Sequence, residues 1–143
     1  MNFKEIHIGY LINQLVTERG VETPRICNFL KCTEEEVEQM YQAKSLNTEL
    51  LLKWSKLLDY DFFRVYSQHL ILYAPPAATA ETKSVRSQLP RFRKNIYTSE
   101  IIEFILEELK NGSKTKKQII EEYRIPKSTL YKWISKYGNS KVI

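Results

Sequence analysis

Apolar residues recur at helical spacing along most of the chain, and the interruptions between them mark out short segments. Ile6, Leu11, Ile12, Leu15 and Val16 form one stripe over residues 6–19, with Gly20 placed to end it. Thr23 as a cap and Pro24 at the first position open a second helix, whose buried side is Ile26, Cys27, Phe29 and Leu30. Thr33 and Glu36 have the spacing of a capping box and start a third, with Val37, Met40 and Tyr41 inward. Asn47 or Thr48 caps a fourth, with Leu51, Leu52, Trp54, Leu57 and Leu58 as core. A fifth spans about residues 61–72 and is rich in Phe62, Phe63, Val65, Tyr66, Leu70 and Leu72. Most of these close the core of a domain of about 70 residues, and its limited interior is expected to leave some of this surface over for a partner or a second copy of the chain, with a homodimer favoured.

The pattern then lapses. Pro75 and Pro76 stop the preceding helix, and the small and polar residues up to Ser84 offer no apolar face. Helical spacing returns with Ile101, Ile102, Ile105, Leu106 and Leu109, with Phe104 at the margin, in a helix that begins near residues 98–100 and ends at Gly112. Ile119, Ile120 and Tyr123 mark a short helix, and Leu130, Trp133 and Ile134 mark another. Arg124, Ile125 and Pro126 separate the two, because proline cannot continue a helix but is tolerated where one starts. Ile125, the apolar residue of the turn, is expected to plug the angle between them. The fold class is therefore all-α. Two small helical domains, of about five and then three helices, occupy residues 1–73 and 97–143, and a Pro/Ala-rich basic linker occupies 74–96.

Two stretches resemble known families. Ile125-Pro126-Lys127-Ser128-Thr129-Leu130-Tyr131-Lys132-Trp133, with the two helices before it, resembles the helix-turn-helix of bacterial transposase and resolvase-type DNA-binding domains. That resemblance implies a three-helix module with the last helix in the major groove. The first half resembles the Cro and lambda-repressor-like helix-turn-helix domain. Glu18-Arg19-Gly20-Val21, Ile26-Cys27, Leu30, Cys32-Thr33, Val37, Met40 and the run of residues 46–58 carry it. In that family the third helix reads DNA, but here its outer positions are Glu34, Glu35, Glu36, Glu38 and Gln39. Carboxylates repel phosphates, so the resemblance is carried over for fold and not for DNA reading. A dimer surface, a protein docking face or a plain solvated face is the expected role.

Charge separates the halves in the same sense. Residues 1–73 hold 8 Lys and Arg against 10 Asp and Glu, and residues 74–143 hold 14 against 7, so the net charges are −2 and +7. A basic half joined to a mildly acidic one implies that only the basic half faces a polyanion. The helix after Pro126 turns Lys127, Ser128, Thr129, Tyr131 and Lys132 outward without an acid among them, and these are the candidates for base contacts in the major groove. Lys114, Lys116, Lys117, Arg124 and Lys136 are the candidates for phosphate contacts, and Arg86, Arg91, Arg93 and Lys94 for an arm along the phosphates or into the minor groove. A solubilising linker is the alternative reading of that arm.

Other chemistries find little footing. Cys27 and Cys32 lack a second pair, and His7 and His69 are not at zinc spacing, so the two thiols read as core residues rather than as a metal site or a disulfide. No nucleophile–base pair or glycine-rich phosphate loop is present, so neither an enzyme nor a cofactor is expected. No apolar run approaches the roughly 20 residues that cross a bilayer, and the first residues lack the pattern of a secretory signal, so a cytoplasmic location is expected. The function expected is sequence-selective binding of double-stranded DNA, as a transcription regulator or a transposase-type recognition protein. It would act as a homodimer through the N-terminal domain, beside a separate catalytic or regulatory protein. The alternative is an adaptor that docks proteins on the acidic domain and has only non-specific DNA affinity.

Overall fold

The first helix, α1 (Ile8–Arg19), starts two residues later than its apolar stripe because His7 caps it: the ring Nδ1 accepts the Tyr10 N–H at 3.1 Å. Gly20 ends it in the left-handed conformation, at φ 62°. α2 (Thr23–Leu30) is capped by Glu22, which leaves Thr23 and Pro24 as its first two helical residues. α3 (Glu34–Gln42) opens on the expected box, with Thr33 Oγ1 accepting the Glu36 N–H at 3.2 Å and Glu36 Oε2 accepting the Thr33 N–H at 2.8 Å. Asn47 caps α4 (Thr48–Leu57), and Asp61 accepts the first N–H of α5 (Phe63–Tyr73). Beyond these come α6 (Ser99–Lys110), α7 (Lys116–Tyr123) and α8 (Lys127–Tyr137). The computed structural model describes residues 2–74, 87–90 and 97–138, and within them all regular structure is helical.

The fold class is all-α. By its internal contacts the chain divides into two units, Met1–His69 and Leu70–Ile143, so the division falls inside α5 rather than after Tyr73. In the first unit α1 lies against α3, and α2 against α3 and α4. Ile8, Ile12, Ile26, Val37, Leu51, Trp54, Leu58 and Phe62 form the core. Trp54 is fully buried, and its indole N–H reaches the Met40 sulfur at 3.3 Å. The meeting of α1 with the end of α3 is unusually close. The Ile8 and Gly9 amides, which have no partner within α1, donate to the Lys44 and Ala43 carbonyls at 3.0 Å. A Cβ on Gly9 would stand 2.2 Å from the Met40 carbonyl oxygen, so no other residue fits there.

Two expected core residues lie outside. Phe29 and Leu52 are 47% and 46% exposed. Helices of eight and ten residues bury only a narrow stripe, Ile26 and Leu30 on α2 and Leu51 and Trp54 on α4, and Phe29 and Leu52 fall beside it. Leu70 is 62% exposed and Tyr60 40%, whereas Phe62, Val65 and Leu72 are buried.

In the second unit α8 packs against α6 and α7. Its buried residues include Ile101, Ile105, Ile119, Tyr123, Ile125, Leu130 and Trp133. Gly112, at φ 70°, follows the cap of α6 as expected.

Candidate nucleic-acid interface

The sequence of α7 secures both of its ends. Thr115 Oγ1 accepts the Gln118 N–H at 3.2 Å, and the Gln118 side chain accepts the Thr115 N–H at 2.8 Å, which satisfies two amides that helix geometry leaves open. At the other end Arg124 takes the left-handed conformation, φ 54°, and turns the chain. Ile125 then enters the core at 1% exposure, as expected of the turn. Pro126 is the cap of α8 rather than its first helical residue. Leu130 and Trp133 anchor the helix from within, and Tyr97 stands edge-on to Trp133 at 4.9 Å.

With that face fixed, the opposite one is set by helical spacing. Lys127, Ser128, Tyr131, Lys132, Ser135 and Lys136 are exposed, and no acid lies on α8. Thr129, the remaining candidate for base contact, is half-buried at the edge of this face. Tyr131 joins two candidate groups that sequence spacing kept apart. Its ring lies 5.1 Å from the Lys116 ammonium of α7 and 5.7 Å from that of Lys127, so two cations flank one exposed aromatic ring.

The candidate phosphate ligands are not equivalent. Lys114 is tied to the Glu122 carboxylate and lies 4.9 Å over the Tyr123 ring, with its side chain only 21% exposed, so its charge is already matched within the protein. Lys117 lies 3.9 Å from Glu121, an exposed pair that contributes little and opens easily. Lys136 lies over the Tyr137 ring at 5.1 Å. Arg124 is exposed and has no ion pair among the described residues. The arm candidates Arg86, Arg91, Arg93 and Lys94 lie outside the described residues.

Between α6 and α7 is a polar lock that spacing did not reveal. The Tyr123 hydroxyl donates to Glu108 on α6 at 2.9 Å. Burial first, and then the bond to Glu108 and its negative charge, push the Tyr123 hydroxyl pKa well above its ordinary value. Glu108 thereby links α6 to α7. Neither it nor Tyr97 stands out in the sequence, because each acts through a partner distant in the chain.

The two halves repeat one local geometry. Ile26 and Ile119, Lys31 and Arg124, and Val37 and Leu130 occupy the same places in an eight-residue helix, a three-residue turn and a second helix. Lys31, like Arg124, is left-handed, at φ 53°. On α3 the exposed positions equivalent to Lys127, Ser128, Tyr131 and Lys132 are Glu34, Glu35, Glu38 and Gln39. Comparison with protein-family models, with curated proteins and with solved structures returned no match. Among the described residues no three metal-ligating side chains gather, and no helix is long and apolar enough to cross a membrane.

Proposed function

We propose that this chain binds duplex DNA through its second unit, with α8 in the major groove and the start of α7 against the phosphates. The observation that carries the reading is the outer face of α8. A short helix held by Leu130 and Trp133 presents Lys127, Ser128, Tyr131 and Lys132, without a carboxylate, to anything that approaches. The ammonium groups at Tyr131 give that face a local positive field, and the open amides at the α7 N-terminus favour an anion beside it. A module this small covers little DNA, so useful affinity calls for a second subunit or an additional basic segment. The exposed apolar groups of the first unit, Phe29, Leu52 and Tyr60, support the homodimer in that role. A regulator of transcription and the recognition subunit of a mobile element, with its catalytic chain separate, both use such a reader, and we place the protein in the cytoplasm.

The test is selection of the full chain against a randomised duplex pool at two salt concentrations. One enriched motif, lost when Lys127→Ala and Tyr131→Ala are combined, is the expected result. A pool that stays random while salt removes all binding overturns sequence-selective recognition. The exposed carboxylates of α3 support a second reading, an adaptor that docks proteins on the first unit. Under it the α8 substitutions leave the working interaction unchanged.

A further inference from the structure

The turn between α2 and α3 brings the backbones of Cys27 and Cys32 together. Lys31, at φ 53°, folds the chain back so that the Cys32 N–H donates to the Cys27 carbonyl at 3.1 Å. That six-residue ring is the helix ending in which the side chains of its first and last residues are set against one another, a contact normally filled by two apolar groups. In the second unit the equivalent places hold Ile120 and Ile125. In the first they hold cysteines, the two residues that the backbone bond joins. Neither is sealed in the core. Ile26 and Leu30 are buried on the same helix, while Cys27 and Cys32 are free and half-buried, within reach of a small reagent.

We propose that Cys27 and Cys32 form a dithiol that closes to an intramolecular disulfide when it meets a small-molecule disulfide oxidant. The thiolate of one cysteine attacks the oxidant, forming a mixed disulfide and releasing one half of the oxidant as a thiolate, which takes up a proton. The second cysteine, deprotonated, attacks the protein sulfur of that mixed disulfide, forms the Cys27–Cys32 bond and expels the other half. The protein loses two electrons and two protons, and the oxidant becomes two thiols. Two thiols alone fall short of the four ligands of a structural zinc site, so oxidation rather than metal capture is the chemistry the pair fits. Burial above all, then Cys27 and the Glu36 carboxylate, hold the Cys32 thiol above its ordinary range. At neutral pH Cys32 therefore rests as the thiol until an oxidant arrives.

The experiment equilibrates the full chain with mixtures of reduced and oxidised glutathione, in native buffer and in denaturant. It is quenched with acid and digested with trypsin. Cleavage after Arg25, Lys31 and Lys44 separates the two cysteines, so a disulfide joins the peptides 26–31 and 32–44. The joined pair is expected in the native chain, with an effective thiol concentration at least about tenfold above that of the denatured chain, where only the short connecting segment holds the thiols near one another. Cys27→Ser and Cys32→Ser chains of unchanged helicity should take up one glutathione each and form no joined pair. Two glutathiones on the native chain, joined peptides between chains, or equal closure in native buffer and denaturant would each overturn the proposal.

Discussion

At the scale of single residues, backbone shape explains positions that side-chain chemistry leaves mute. Lys31 and Arg124 adopt a conformation that usually favours glycine, because each must reverse the chain between two helices in three residues. Gly9 is the opposite case. Its own backbone is ordinary helix, and the lack of a Cβ is what lets α1 rest on the carbonyls of Met40, Tyr41 and Ala43. Gly9→Ala places a methyl group 2.2–2.7 Å from those three oxygens, all of them backbone atoms that a rotamer change cannot move. The helices must separate, with loss of the Ile8 and Gly9 hydrogen bonds. A loss of about 3 kcal/mol or more is expected for the first unit. Denaturant unfolding followed by the indole NMR signals tests it, since Trp54 reports the first unit and Trp133 the second. Early loss of the Trp54 signal with the Trp133 transition unmoved is the expected outcome, and an unchanged Trp54 midpoint would contradict it.

At the scale of elements, the features visible in the sequence are the local ones. Thr33, Asn47 and Gly20 act on amides or carbonyls within a few residues of themselves, so their roles follow from spacing. So does the outer face of α8, which is fixed once Leu130 and Trp133 are known to be inside. Phe29 and Leu52 belong to the same apolar pattern and are nevertheless exposed, because pattern alone does not state how wide a stripe a short helix buries. The approach of Gly9 to α3, the edge-on contact of Tyr97 with Trp133 and the bond from Tyr123 to Glu108 join distant segments, and nothing near those residues marks them. The last of these makes the link between α6 and α7 sensitive to alkali. Burial, Glu108 and the nearby Glu122 carboxylate raise the Tyr123 pKa over that of an unfolded tyrosine, so the folded chain keeps a proton that the unfolded chain releases. Its contribution is fully present below about pH 10 and is lost as pH rises further. The stability of the second unit should therefore fall above about pH 10. Tyr123→Phe should make that fall shallower without removing it, because burial also raises the pKa of the half-buried Tyr97. Unfolding midpoints from a pH series on both chains measure the difference, and parallel curves would show that Tyr123 does not carry it.

At the scale of the whole molecule, net charge describes the basic half less well than the geometry of each cation does. The basic half holds 14 Lys and Arg, yet Lys114 is already matched by Glu122, while Arg124 and Lys136 project from the second unit without an ion pair among the described residues. A cation that neutralises a phosphate releases a counterion and adds about 0.9 to the slope of log K against log salt. One whose charge stays with an internal carboxylate adds nothing. Arg124→Ala and Lys136→Ala should then each reduce the slope by about 0.9, whichever duplex is used, because phosphate contacts are blind to sequence. Lys114→Ala should leave the slope alone while weakening the fold slightly, since it leaves Glu122 unpaired and uncovers the Tyr123 ring. The three substitutions thus separate contact with DNA from support of the unit. A slope that drops with Lys114→Ala as well would mean that the pair with Glu122 opens on binding. A slope unmoved by Arg124→Ala and Lys136→Ala would place the phosphates away from α8 and remove the ground for putting that helix in the groove.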